Sequence, residues 1–280
     1  GTRGWGGSRR RPETARRSVI HMDTAFRDRF IRLWREYFPG AELPVTFEVT
    51  DEDRGVERAP TPRGWRCVVC DLARVRKGRS LVFGEDSLSC SGAKYYMGYV
   101  EERAPDFRFF LSCGKAGLVP GERYKKTPEI VDEMVKQGTF LPARERHYLF
   151  RRWDSLKTED HPDVVIFFAR AEVIAGLFTL ANYDRADPHA VICPFGSGCS
   201  AIIHHPLHES RAECPRGVLG MFDPSARPCV PVDVLTMAIP MRMFVPMVDS
   251  MEESFLITGT WEKVKKKIGM SEEIYSLKSE

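Results

Sequence analysis

The chain has 280 residues, of which 42% are hydrophobic and 29% are charged, and this composition is typical of a globular protein. The formal net charge is +3, but residues 1–21 contain six arginines and one glutamate, so the rest of the chain is slightly acidic. Because of this charge we expect no nucleic-acid-binding surface. We also expect no membrane span, since the longest apolar run, Val164–Ala169, is far shorter than the roughly 20 residues that a membrane helix needs.

Residues 1–21 differ from the rest of the chain in their high arginine content. Residues 1–21 lack the apolar middle of a secretory signal, and Met22 stands directly before the first periodic segment. We expect residues 1–21 to be a disordered extension or an upstream or tag-like sequence, and residues 22–280 to form a single domain. Without a signal, the expected location is the cytoplasm, where disulfides are disfavoured.

Hydrophobic periodicity, caps and turn residues predict the following elements, in chain order: helix Asp23–Phe38, strand Pro44–Thr50, helix Cys67–Val75, strand Ser80–Phe83, a helix or strand at Ala93–Val100, strand Phe107–Ser112, helix Thr127–Lys136, strands Tyr148–Trp153 and Val164–Ala169, helix Arg170–Leu180, strand Ala190–Pro194, helix Ser200–His205, strands Gly217–Phe222 and Val234–Ile239, and helices Met241–Ser250 and Thr260–Ile268. Helices and strands intermix without regular alternation. The predicted fold is therefore α+β, a single domain with a mixed sheet and flanking helices.

Eight cysteines form the most unusual feature of the composition. Cys67-Val68-Val69-Cys70 has the spacing of a pair that holds zinc or a cluster, or that acts as a redox dithiol. A zinc ribbon would need a second such pair, and a thioredoxin-like dithiol would need a preceding strand. Simple burial of at least one of the two thiols is therefore an equal alternative.

Two small-residue turns offer further candidate sites. At Cys90-Ser91-Gly92-Ala93, free N–H groups at a helix start would suit an anion or a cluster sulfide, although Gly92 also fits a plain capped turn. At Gly196-Ser197-Gly198-Cys199, the glycines allow close approach of a ligand to the backbone. We expect the helix dipole to lower the pKa of Cys199, which makes this residue a candidate metal ligand or catalytic nucleophile.

Histidines and a late turn are weaker candidates. His204 and His208 have the spacing of a metal pair, but Pro206 between them argues against one continuous helix presenting both. In the turn after residue 221, Arg227 could hold an anionic ligand or could bond Asp223 instead. Five methionines are interpreted as core residues rather than copper ligands: Met237, Met241, Met243, Met247 and Met251.

Four of these motifs occur in an order that resembles the bacterial and archaeal family labelled domain of unknown function 169. The motifs are Cys67 six residues before Ala73, Cys90-Ser91-Gly92-Ala93 with Met97-Gly98, Ser197-Gly198-Cys199-Ser200-Ala201, and Asp223-Pro224-Ser225-Ala226-Arg227. The resemblance covers roughly Phe26 to Ile268, with Gly92-Ala93 where many members have two glycines. It implies a prokaryotic cytoplasmic protein and directs attention to Cys67, Cys90 and Cys199, with Cys113 as a fourth thiol.

Three functional hypotheses follow from these observations. Cys67, Cys90, Cys113 and Cys199 could converge on one iron–sulfur cluster, or on zinc, in a redox role. Alternatively, the protein is a non-catalytic module that binds a small anionic ligand or a partner, with Gly92, Gly196, Ser197, Gly198 and Arg227 as contacts. In the third hypothesis, Cys199 is the nucleophile of a thiol enzyme.

Overall fold

The structure is a computed structural model that describes residues 22–276, with side chains described to residue 267; residues 1–21 and 277–280 lie outside the described residues. Within that part, seven strands form one sheet in the order β2-β3-β1-β4-β7-β6-β5. Adjacent strands are antiparallel except for β5 and β6, which pair in parallel. The strands are β1 Val45–Thr50, β2 Leu81–Phe83, β3 His147–Arg152, β4 Val164–Ala169, β5 Val191–Ile192, β6 Gly217–Gly220 and β7 Leu235–Pro240.

Helices cover both faces of this sheet and enclose one apolar core on each side. Their bounds are α1 Thr24–Tyr37, α2 Val68–Arg76, α3 Ser91–Tyr96, α4 Phe107–Phe110, α5 Pro128–Gln137, α6 Ala171–Ala181, α7 His205–Glu209, α8 Met241–Asp249 and α9 Gly259–Ser276. The mixed sheet with flanking helices confirms the predicted α+β fold, and the five methionines are buried as expected.

The central strand β4 explains why two cores exist. All six of its residues are buried, because alternate side chains of a strand point to opposite faces. Phe167 packs with helices α1, α6 and α8 in the first core, whereas Ile166 and Phe168 lie in the second. The second core also contains Cys199 and residues of α2 and α3, so the predicted cysteine motifs lie on one side of the sheet.

Two predicted elements need correction or a decision. Residues 107–112 do not form a strand, because Arg108 pairs with Glu129 and Asp132 at 3.2 and 2.9 Å and holds this segment, as the short helix α4, against α5 instead of the sheet. The segment Ala93–Val100, which the sequence allowed to be a helix or a strand, contributes its first four residues to the helix α3.

Candidate metal centre

Helix α2 places two cysteines at one end of the second core. Cys67 is its N-cap, with extended backbone at φ −85° and ψ 128°, and Cys70 follows in the first helical turn. Val68, Val69 and Leu72 are buried against the sheet, which fixes the orientation of the helix. Cys67 is therefore half-buried, while Cys70 points to the exposed side.

A turn between β6 and β7 brings a third cysteine to the same place. The Asp223 carboxylate accepts hydrogen bonds from the N–H of Ser225 at 3.0 Å and from its hydroxyl at 2.7 Å, which closes the turn. The same carboxylate accepts a bond from the N–H of Gly198 at 3.2 Å. A single 3₁₀ turn, Arg227–Cys229, then carries Cys229 toward α2.

Arg227 holds this turn in shape. Its guanidinium donates to four backbone carbonyls, those of Met221 at 3.2 Å and Val234 at 2.6 Å and, on the exposed side, those of Pro231 and Val232 at 3.0 and 2.7 Å. The bonds go to carbonyl oxygens and not to Asp223, so the expected pairing with Asp223 is absent, whereas contact of Arg227 with an anionic ligand stays a prediction. The residue binds its own loop, two positions before Cys229.

The sulfur atoms of Cys67, Cys70 and Cys229 lie within 4.8 Å of one another. Cys70 and Cys229 form a disulfide across 159 residues, with their Cα atoms 4.7 Å apart. The expectation of a chain without disulfides is therefore wrong for this pair. When the disulfide is reduced, the same three residues offer three thiolates that could hold a metal ion.

Cys90 lies near this group because a hydrogen bond joins the residues that precede the helices α2 and α3. The hydroxyl of Ser89, the residue before Cys90, accepts a hydrogen bond at 2.8 Å from the N–H of Arg66, the residue before Cys67. Cys90 is the N-cap of α3, and a Cβ on Gly92 would stand 3.6 Å from its sulfur. The Cys90 thiol contributes to raising the pKa of Cys67, although its sulfur is not one of the three that lie within 4.8 Å of one another.

Cys199 is buried deeper, at the start of a helical segment behind the other thiols. Its sulfur lies 3.1 Å from the hydroxyl of Ser197. A Cβ on Gly198 would lie 2.7 Å from that of Ala226, and one on Gly196 would lie 2.4 Å from the Ser200 hydroxyl. These glycines thus permit the loop to pack on its own neighbours, and the contact of Gly92, Gly196, Ser197 and Gly198 with a ligand stays a prediction.

Burial dominates the electrostatics of the thiols. It raises the pKa of Cys199 to about 12, against a weaker lowering by the Ser197 hydroxyl, and it raises the pKa of Cys67 as well. The expectation that the pKa of Cys199 is lowered is therefore wrong, because desolvation by burial is the largest influence on this thiol. At neutral pH this thiol is protonated and enclosed, which does not suit a nucleophile that attacks a substrate.

The remaining predicted ligand, Cys113, lies outside the three-sulfur group. It is exposed in the connection between α4 and α5, and its sulfur lies 3.5 Å from the carbonyl oxygen of Gly114. Within residues 22–276, the three-sulfur group shares only Cys67 with the four ligands expected from the sequence. Cys70 belongs to the Cys67-Val68-Val69-Cys70 motif, whereas no local motif marks Cys229.

Pro206 shapes the segment after Cys199 in an unexpected way. Residues Ser200–His204 form a π-helical turn, in which the N–H of His205 bonds the carbonyl of Ser200, and the chain continues directly into α7. Helical structure thus persists through Pro206, contrary to the expected break. His204 is buried with its ring against Tyr96, at a centroid distance of 5.5 Å, and burial lowers its pKa to about 4.

Basic side chains gather in a separate cleft of about 650 Å³ near the start of β3. Arg58, Lys94 and Arg146 contribute to its lining, together with His147. Acidic neighbours offset part of this charge, since Asp86 lies 3.8 Å from Arg58 and Glu85 lies 3.9 Å from Lys94. Binding of a small anion at the cysteine loops stays a prediction.

The fold and the cysteine group together define an α+β protein with a candidate thiolate centre. The family model described as uncharacterised ArCR, domain of unknown function 169, matches residues 40–250. That range spans more than half of the chain and includes every cysteine of the centre, so the chain belongs to this family, as the resemblance indicated. No curated protein matches the chain, and no solved structure does either. Across residues 22–276, no helix is both long and apolar enough to cross a membrane.

Proposed function

We propose that the protein binds one metal ion through the thiolates of Cys67, Cys70 and Cys229, with Cys90 as the fourth ligand, and that this centre has a redox role. The observation that carries the proposal is the position of three sulfur atoms, from two distant parts of the chain, within 4.8 Å of one another. Four thiolates around one ion are the usual tetrahedral set for zinc, and iron accepts the same set.

The close approach of the sulfurs fits a single ion better than a cluster, although two of the three are joined in the Cys70–Cys229 disulfide. Thiolates bound to one tetrahedral ion stand about 3.8 Å apart, because each metal–sulfur bond is about 2.3 Å long. In a cubane cluster each cysteine binds a different iron, so its four sulfurs lie farther from one another. An iron–sulfur cluster on Cys67, Cys90, Cys113 and Cys199 has less support, because Cys113 is exposed outside the group.

Charge supports a cation at this place. The largest electrostatic contributions to the raised pKa of Cys67 come from Cys90 and Asp223, and those to the raised pKa of Cys199 come from Cys90, Cys67 and Asp223. All of them are acidic, so ionising several thiols here without a counter-charge is unfavourable. A divalent ion would supply that charge and would stabilise the thiolate form.

The proposal also implies where the protein works. Thiolate ligands need a reducing compartment, which agrees with the expected cytoplasmic location. Cys70 is on the exposed side of the centre, where a redox partner could reach it. Zinc itself does not change oxidation state, so with zinc the redox chemistry would belong to the cysteines.

Metal analysis of the full chain, purified without oxygen and with a reductant, tests the proposal. We expect about one equivalent of zinc or iron without acid-labile sulfide. Cys67→Ser, Cys70→Ser and Cys229→Ser should each weaken binding at least about 100-fold, since even the loss of an outer-shell partner costs 10–100-fold. Cys193→Ser and Cys214→Ser, at exposed free cysteines, are the matched controls and should keep the metal.

Two results would contradict this assignment. A folded, fully reduced protein that takes up neither zinc nor iron would exclude the metal-binding function. Bound iron with sulfide that is lost in Cys113→Ser and Cys199→Ser, but retained in Cys70→Ser, would instead support the cluster predicted from the sequence. Circular dichroism of each variant separates the loss of a ligand from the loss of the fold.

A further inference from the structure

The proposed centre contains two cysteines that have a second chemical state. Cys70 and Cys229 are joined as a disulfide, yet they are also two of the three residues that could hold a metal ion. A sulfur in a disulfide carries no thiolate charge, so the disulfide and the four-thiolate metal site exclude each other. The oxidation state of Cys70 and Cys229 therefore determines which of the two states forms.

Little movement separates these states. The Cα atoms of Cys70 and Cys229 are 4.7 Å apart, inside the usual range for a disulfide. Two thiolates on one ion would stand about 3.8 Å apart, and a disulfide brings the sulfurs to about 2 Å. Side-chain rotation alone can cover that difference, while the Arg227 bonds and the buried residues of α2 keep the backbone in place.

Exposure determines which thiol meets a reagent first. Cys70 is exposed, Cys67 and Cys229 are half-buried, and Cys199 is buried. A small oxidant can therefore reach Cys70 without opening the fold, and Cys229 is the sulfur already in bonding position beside it. Cys67 lies within 4.8 Å of both and is left as the unpaired member of the group.

We propose that the centre exchanges its metal ion for the Cys70–Cys229 disulfide when it reacts with a low-molecular-mass disulfide; this inference rests on the metal-binding function proposed above. The Cys70 thiolate attacks one sulfur of the reagent, whose S–S bond breaks and releases the first reagent thiolate. The Cys229 thiolate then attacks the sulfur of Cys70 and releases the second. Two electrons pass from the cysteines to the reagent, and the ion, left with Cys67 and Cys90, departs as a dication.

Zinc release from the reduced, zinc-loaded full chain measures this exchange, with glutathione disulfide as the oxidant and a chromophoric zinc indicator. We expect one zinc released and two glutathione thiols formed for each Cys70–Cys229 disulfide found by peptide mapping. Dithiothreitol with added zinc should restore the starting state. Cys193→Ser and Cys214→Ser should behave as the native chain, whereas Cys229→Ser should accumulate glutathione on Cys70.

The controls separate this inference from the function on which it rests. Zinc and iron contents before oxidation are measured first, and a reduced protein that takes up neither metal would refute the metal-binding function and the exchange together. A protein that binds zinc but keeps it under glutathione disulfide would refute the exchange alone. So would release of zinc with a disulfide at another pair, such as Cys67–Cys70.

Discussion

Replacing Arg227 by alanine tests whether this residue holds the loop that carries Cys229 or serves a ligand. The side chain donates four hydrogen bonds to carbonyl oxygens of residues 221–234, and two of these bonds are partly shielded from solvent. In the variant the acceptors lose their partner, and the loop loses the contacts that connect its two ends.

The magnitude follows from the exposure of the bonds. Hydrogen bonds to a charged group contribute about 1.5–3 kcal/mol each when shielded, and less at the surface. Taking about 1.5 kcal/mol for each bond to Met221 and Val234, and about 0.5 kcal/mol for each bond to Pro231 and Val232, Arg227→Ala should lower the free energy of unfolding by about 4 kcal/mol. With a urea dependence near 3 kcal/mol per molar, the unfolding midpoint should fall by about 1.3 M.

Urea unfolding followed by circular dichroism, on the reduced full chain, gives this number. Arg227→Lys should fall between the native chain and Arg227→Ala, because an ammonium cannot span four acceptors that the planar guanidinium reaches. Arg63→Ala, at an exposed arginine, is the control and should unfold like the native chain. A midpoint unchanged by Arg227→Ala would refute the structural role and would leave anion binding as the remaining hypothesis for this residue.

Two further predictions concern the folded core. The pKa of His204 is lowered to about 4, first by burial and then by His205 and His208, so the native state binds fewer protons than the unfolded chain between about pH 4 and 6.5. Its contribution to stability is complete above pH 6.5 and should fall by about 3 kcal/mol as the pH drops to 4, a loss that His204→Phe should remove. Urea titrations across that range check it, with exposed His189→Asn as the control, and equal slopes in the native chain and His204→Phe would contradict it. Gly176→Ala should destabilise the protein by about 2 kcal/mol, because the added Cβ would lie 2.5 Å from Trp261 and 2.7 Å from Phe38. Thermal unfolding beside Gly64→Ala, where the Cβ meets open space, measures this effect, and similar melting of the two variants would contradict the packing argument.

Local signals explain which elements were predictable from the sequence. Helix α5 begins where Thr127 and Pro128 indicate, and the Thr127 hydroxyl accepts the expected bond from the N–H of Ile130. Strand β4 coincides with the predicted Val164–Ala169, since a short apolar run flanked by charge is typical of a strand buried on both faces. The predicted strand at residues 107–112 is wrong because the ion pairs of Arg108 to α5, which are tertiary contacts, outweigh the local pattern.

The candidate site was predictable only in part for the same reason. Cys67, Cys70 and Cys90 lie in local motifs that mark a helix start, and the structure brings them to neighbouring positions. Cys229 joins them across 159 residues, and no local spacing encodes that meeting. The predicted lowering of the Cys199 pKa is wrong because the sequence shows the helix start but not how deeply the thiol is buried.

The Cys70–Cys229 link also has a topological consequence. In the oxidised chain, residues 70–229 form a closed covalent ring that contains β2, β3, β4, β5 and β6, whereas β1 and β7 belong to the two arms outside it. In the sheet order, β1 lies between β3 and β4, and β7 lies between β4 and β6. The ring by itself therefore cannot assemble a continuous sheet: without the arms its strands fall into three separate groups. Oxidation closes the ring, but the two arms keep its strands together.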